Sequence, residues 1–352
     1  MNTSATRPRL ILLLALILPV FAATAQDIHF SQFANSPLNL NSGLAGVFGG
    51  DMRFVVNYRD QWRTIPVPYS SFSGSFENKI YWTKGKYDRY LTGSLLFNYD
   101  KQGSIELTTT QIGIPISVTL PLRQNIFLTA GVTPVFSQRS FDTNRLTFDS
   151  QWTDSFFDPS ADAHEDQLFQ STNLKYFDLN AGLNLRFQSE AKRSRLDVGG
   201  GLQHINRPNH DFWSSDLTAP GTVKLYNKMS LYALGTVQLS KTFDVVGQAL
   251  YQKQGGFQEI VYGAGLKMYL NQRPYREFAL QVGTDYRHRY NDAIAPHVEV
   301  FWRTWTFGFT YDVNAFGSAI GQLTGDKAGP EVALIYRLYR VKPVRFKTCP
   351  II

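Results

Sequence analysis

Tyr176-Phe177-Asp178-Leu179-Asn180-Ala181-Gly182-Leu183-Asn184-Leu185-Arg186-Phe187-Gln188 decides how this chain is read. Its odd positions from Phe177 to Phe187 are apolar, and its even positions from Asp178 to Gln188 are polar or glycine. A period of two marks a β-strand with two different faces. The stretch exceeds the ~5–6 residues of an average strand and matches the ~9–11 that a tilted strand needs to cross a bilayer. One face then meets lipid and the other a polar lumen. An open strand cannot sit in hydrocarbon, because its unpaired N–H and C=O groups would each cost several kcal/mol, so a closed ring is required.

The rest of the chain supplies the other strands. Comparable alternation occurs near 52–62, 69–79, 89–100, 107–120, 124–140, 194–206, 225–240, 243–255, 257–270, 277–289, 293–303, 305–316 and 329–341. With 176–189 these make about fourteen, an even number as bacterial outer-membrane barrels have. The expected fold is therefore all-β: a transmembrane antiparallel barrel preceded by an irregular plug segment. Aromatic residues make up 14% of the chain without long apolar runs, which suits barrel strands flanked by aromatic girdles. Trp62, Trp82, Trp302 and Trp305 are read as interface anchors. A soluble sandwich is the competing architecture.

Connection lengths favour the barrel. The long segments 141–175, 207–224 and 317–328 fall on one end, while Pro121-Leu122-Arg123, Glu190 to Arg193 and Lys241-Thr242 form brief turns on the other. Long loops outside and tight turns in the periplasm are the barrel pattern. A sandwich has no reason to sort its connections in this way. On this reading both termini face the periplasm.

Four regions follow. Residues 1–25 read as a secretory signal peptide: Arg7 and Arg9, the apolar run Leu10 to Leu18, then Ala23-Thr24-Ala25. Residues 26–50 lack either period and are rich in Asn, Ser, Pro and Gly, so they read as irregular structure with one helical turn. Residues 51–341 form the barrel, and 342–352 a basic tail. Cys349 is the single cysteine, so no internal disulfide forms and no lipid-anchor cysteine follows the signal. The formal charge of +7 is too dispersed to indicate nucleic acid.

Candidate sites fall into three groups. Loop 141–175 carries aromatic residues among acids; Trp152, Asp154, Phe156, Phe157, Asp158 and Asp162 make either a cargo-binding surface or a lid over the barrel mouth. Inward positions include Arg53, Arg59, Glu77, Asp178, Arg186, Lys267, Asp285, Arg287, Arg289, Glu299, Arg303 and Arg337. Mixed signs of this kind knit a lumen shut or hold an inserted segment, and 26–50, with His29, Phe30 and Phe33, is the available plug. Arg340, Lys342, Arg345 and Lys347 follow the last strand without an acid and form a candidate periplasmic docking surface.

Enzyme and metal signals are weak. His164-Glu165-Asp166, His204 and His210-Asp211 have no nucleophile or metal spacing around them and read as loop polarity. The acids of 141–175 lack the glycine-turned loop of a Ca²⁺ site. Gly199-Gly200-Gly201 lies in a strand with no helix after it and is not a phosphate loop. No cofactor is expected.

His29-Phe30-Ser31-Gln32-Phe33, the segment Asn39-Leu40-Asn41 to Ala45-Gly46, and Asn57-Tyr58-Arg59-Asp60-Gln61-Trp62 carry a resemblance. So do Asp292-Ala293-Ile294-Ala295-Pro296, Thr306-Phe307-Gly308-Phe309-Thr310-Tyr311-Asp312 and Cys349-Pro350. Together they resemble the PorP/SprF family of type IX secretion membrane proteins over nearly the whole mature chain. The resemblance implies an outer-membrane location among periplasmic and outer-membrane secretion components, and assistance to export or surface attachment of proteins with a C-terminal sorting domain, some of them gliding adhesins. A passive porin and an outer-membrane hydrolase are the alternatives.

Overall fold

The computed structural model describes residues 27–61, 69–83, 86–103, 105–142, 146–153, 156–158, 161, 172–210, 212, 223–288, 293–314 and 327–340. Fifteen strand segments run in chain order: β1 Met52–Gln61, β2 Tyr69–Thr83, β3 Lys86–Gln102, β4 Leu107–Gly113, β5 Ile116–Arg123, β6 Ile126–Ser140, β7 Asn173–Gln188 and β8 Arg195–Gln203. The second half is β9 Lys228–Gln238, β10 Phe243–Gln254, β11 Phe257–Asn271, β12 Phe278–Arg287, β13 Ala293–Trp302, β14 Trp305–Asn314 and β15 Lys327–Leu338. Segments that follow one another around the ring pair antiparallel. β1 pairs with β15, from Met52 opposite Leu338 to Arg59 opposite Glu331, and the sheet is closed.

β4 and β5 are one stave, since both lie between β3 and β6. Their interruption has a local cause at Ile114-Pro115, because proline cannot donate to the ladder. Neighbouring bonds bridge the gap: Ile114 N–H donates to Pro134 O at 3.0 Å and Ser94 N–H to Pro115 O at 2.9 Å. The barrel therefore has fourteen staves, as the alternation indicated.

The two faces are sorted inside out relative to a soluble protein. On β1, Phe54, Val56 and Tyr58 face outward and are exposed, while Val55, Asn57 and Arg59 are buried within. On β7, Phe177 and Leu183 are exposed and Asp178 and Asn184 are buried. The largest fully buried side chains of the molecule include Glu77, Glu331, Asn41, Asn57 and Asn184. A closed ring in lipid needs this inversion, with apolar residues toward the hydrocarbon and polar ones inside. No helix among the described residues is long and apolar enough to cross a membrane, which is silent about strands.

Several local expectations shift. The turn expected at Pro121-Leu122-Arg123 belongs to β5, with a bulge, and the chain reverses at Gln124-Asn125. Arg303, expected in the lumen, sits exposed in the β13–β14 turn with φ of 55°. Trp82 and Trp302 are exposed on the same rim, and Trp305 stacks on Tyr336 at 4.3 Å. Trp62 and Arg289 lie outside the described residues.

Candidate functional site

Residues 27–50 lie inside the ring. They contain a 3-10 turn at Phe33–Asn35, one α-helical turn at Pro37–Leu40 and a second 3-10 turn at Ser42–Leu44. Bonds from this short stretch reach staves on all sides, which only a segment within the lumen could do. Ser31 N–H and Gln32 N–H donate to Glu331 at 2.7 and 2.9 Å, and Ser31 Oγ donates to Asp312 at 2.6 Å. Asn39 reaches Ser73 at 2.8 Å, Asn41 reaches Leu183 O and the Tyr232 hydroxyl at 2.9 and 3.0 Å, and Ser42 meets Thr133 at 2.8 Å. Gly46 N–H donates to Glu77 at 2.8 Å.

Glycine on the inner wall makes the close approach possible. A Cβ at Gly131 would overlap the Ser42 carbonyl, one at Gly182 would overlap the Asn41 amide, and one at Gly308 would meet Gln32. Gly201 of the triple-glycine run lies against the same Asn41 and the Leu40 carbonyl, and so forms part of the seat for the segment. Apolar contacts add to the bonds. Phe33, Leu40, Leu44 and Val47 pack with Tyr232, Leu250 and Val261, and Leu38 and Ala45 pack with Leu96. Phe30 is also buried.

The charged lumen residues form separate knots. Arg59 donates to Asp312 at 2.7 Å and to His29 O at 2.6 Å, and lies 3.8 Å from Glu331. Arg287 pairs with Glu259 at 2.8 Å, and His29 Nε2 lies 3.3 Å from the same carboxylate. His29, Arg59 and Arg287 are thereby brought together. Arg53 pairs with Glu77 at 2.6 Å, Asp285 contacts His297 at 3.2 Å and Gln248 at 2.5 Å, and Glu299 accepts from Asn35 at 3.2 Å. The partners Glu259, Asp312 and Glu331 escaped sequence reading, although their inward positions in alternating strands could have shown them.

A further knot fixes the start of the segment. His204 Nδ1 is 2.5 Å from Asp178 and its Nε2 is 2.6 Å from Asp27, with Lys228 3.9 Å from Asp27. His204 is buried rather than part of an exposed polar loop. Burial disfavours its charge, but the two carboxylates outweigh this and push its pKa up to about 9. Burial likewise raises Asp27, and His204 with Lys228 outweighs it, holding the carboxyl well below the usual range. His204, Lys228 and Gln254 stand at the long-connection ends of β8, β9 and β10, so Asp27 lies toward that rim and the segment descends from it to the short-turn rim at Asp51.

On the long-connection rim, the described residues include a 3-10 turn at Asp149–Gln151 and an antiparallel bridge between Trp152 and Phe157. Their rings lie 5.9 Å apart, and Thr153 N–H donates to Phe156 O at 2.9 Å. Trp152 and Phe156 are 63% and 61% exposed, Phe157 is half-buried, and Asp158 N–H donates to Gln151 O at 2.9 Å. Asp154 and Asp162 lie outside the described residues. His210, at the same rim, approaches Arg139 at 2.7 Å; burial and this arginine push its pKa down to about 4.

On the short-turn rim, Arg340 is tied to the start of the barrel, its N–H donating to Asp51 at 2.7 Å and its guanidinium to Asn78 at 2.9 Å. Lys342, Arg345, Lys347, the His164-Glu165-Asp166 run and the signal segment lie outside the described residues. Among the described residues no group of three His, Cys, Asp or Glu could hold a metal ion.

A family model described as type IX secretion system membrane protein PorP/SprF matches residues 22–325. Comparison with curated proteins found no match. Among solved structures, the toluene transporter TbuX of Ralstonia pickettii is 10% identical with a TM-score of 0.49, covering 87% of this chain and 94% of that one. The toluene transporter TodX of Pseudomonas putida is 8% identical with a TM-score of 0.48, covering 89% and 93%.

Proposed function

The chain belongs to the PorP/SprF family of type IX secretion system membrane proteins, and from that premise we propose that it is a non-catalytic outer-membrane barrel that assists export or surface attachment of proteins bearing a C-terminal sorting domain, gliding adhesins among them. In this reading the long-connection rim faces outward and recognises cargo. The short-turn rim faces the periplasm, where Arg340 and the basic residues Lys342, Arg345 and Lys347 contact other secretion components. Residues 27–50 act as a plug, so the barrel works as a rigid platform rather than as an open pore.

The observation that carries the reading is the bridge between Trp152 and Phe157, beside which Trp152 and Phe156 stand exposed on the rim of a barrel whose lumen is occupied. Exposed aromatics held by such a bridge lose little entropy on contact and suit a protein interface. They also favour an interface over a lid, since a lid would bury those rings against the mouth. The test is binding of purified sorting domains from the same organism to the detergent-solubilised barrel. Binding is expected to weaken at least tenfold when Trp152 and Phe156 are replaced by Ser. Equal binding by the variant would place recognition elsewhere.

A further inference from the structure

The segment in the lumen fills only part of it. Between that segment and the short-turn rim remains a cavity of about 870 Å³, roofed by Leu44, Val47 and Phe48. Its volume falls in the range of roughly 300–1,000 Å³ typical of small-ligand sites.

Its lining is unbalanced in charge, with eight Lys and Arg side chains against the carboxylates of Asp88, Asp197 and Glu299. Arg53, Arg186 and Arg193 border it but are neutralised, by Glu77 at 2.6 Å, Asp197 at 2.8 Å and Asp244 at 2.7 Å. Lys79, Arg195, Lys267 and Arg337 also border it, and among the described residues none has a carboxylate within 4 Å. Lys79 Nζ donates to Phe48 O at 2.6 Å, and Arg337 donates to Thr306 Oγ1 at 2.9 Å. Lys267 Nζ lies 3.1 Å from the Phe301 ring centroid and 5.4 Å from that of Tyr269. An ammonium has three donors and a guanidinium five, and these contacts use only a fraction of them.

We propose that this cavity is a binding site for a small ligand carrying two or more oxyanion groups, phosphate or carboxylate, taken up through the short-turn rim. Cations gathered in a recess with low-dielectric walls focus a positive potential and concentrate anions. Charge-assisted bonds from Arg and Lys to phosphate or carboxylate are the strongest such groups make. Phe301 and Tyr269 hold Lys267 in place by cation–π contact and leave its remaining donors toward the space. The chain's own tail is a poor occupant, because Lys342, Arg345 and Lys347 bear the same sign.

The experiment is isothermal titration of the full-length barrel in zwitterionic detergent at low salt with three probes: tripolyphosphate, citrate and hexaglutamate. Saturable one-to-one binding of at least one probe is expected, the tightest identifying the oxyanion source. Affinity should fall at least tenfold in Lys267→Gln/Arg337→Gln and in the separate variant Arg195→Gln, each checked for heat-modifiable migration. Lys175→Gln/Lys224→Gln, which removes two cations near the other rim, should leave it unchanged. Absence of saturable binding by all three probes overturns the site, as does an equal loss in the rim control. Neither result touches cargo recognition at the long loops, which is measured separately.

Discussion

Replacing Gly131 by Val should unseat residues 27–50 while leaving the barrel standing. Gly131 faces inward on β6, and a Cβ there would overlap the backbone of Ser42, which cannot move aside as a side-chain tip can. Valine suits an extended strand, so the strain falls on the lumen segment rather than on the wall. The bonds at stake are Asn41 to Leu183 O at 2.9 Å, Asn41 to Tyr232 at 3.0 Å and Ser42 to Thr133 at 2.8 Å. At ~0.5–1.5 kcal/mol each they sum to roughly 1.5–4.5 kcal/mol. That corresponds to a shift in the seated-to-unseated ratio of between about tenfold and about a thousandfold. Chymotrypsin, which can cut after Phe30, Phe33 and Phe48, reads the change as faster cleavage in the folded barrel. Planar-bilayer recording reads it as a higher conductance. If Gly131→Val migrates as a folded barrel with unchanged protection and conductance, the segment is not held where these contacts put it.

Three further outcomes are expected. Leu183→Arg, on the lipid face of β7, should destabilise the barrel by about 2–4 kcal/mol in a urea unfolding series, whereas Thr236→Arg, which faces the cavity, should cost less; Asn184, buried and bonded to Asp197 at 3.1 Å and Tyr232 at 2.8 Å, is too tightly packed to serve as the lumen control. Because the pKa of His204 is raised to about 9, its hold on Asp27 should be complete below its ordinary value of 6.5 and fade as pH rises through 9. Asp27 is shifted downward, so its share is present above 3.8 and is lost only on further acidification. Protease protection of the segment should therefore drop between pH 8 and 10 in the native chain, with no such step in His204→Asn. Finally, Arg59→Met should weaken the docking of His29 to Gln32 by removing the guanidinium from Glu331 and leaving Asp312 only the more distant Arg287 at 3.9 Å, seen as earlier cleavage after Phe30.

The barrel was legible because its signal is repeated around the ring and depends only on alternation along each strand. Fourteen staves could be counted even though Pro115 divides one of them, since a break of two residues does not disturb the parity of inward and outward positions. Turn positions were less legible: Pro121 looked like a turn residue but is absorbed by a bulge. The lumen was half legible. Arg53, Arg59, Glu77 and Arg287 could be placed inward from parity, but which residues pair with which could not, because the pairs join residues as far apart as Arg59 and Asp312. His204 misled for the same reason. Its neighbours in sequence are loop-like, and only the return of Asp27 through the lumen buries it. The basic cavity was not legible at all, since it depends on which cations the segment leaves unpaired.

Cargo attachment is tested most directly by deleting the gene in its host and measuring how sorting-domain proteins divide between cell surface, medium and periplasm. At least one such protein is expected to leave the surface fraction, to return with the intact chain, and not to return with a chain carrying Ser at positions 152 and 156. An unchanged distribution of every sorting-domain protein in the deletion strain would contradict a role in their export or attachment.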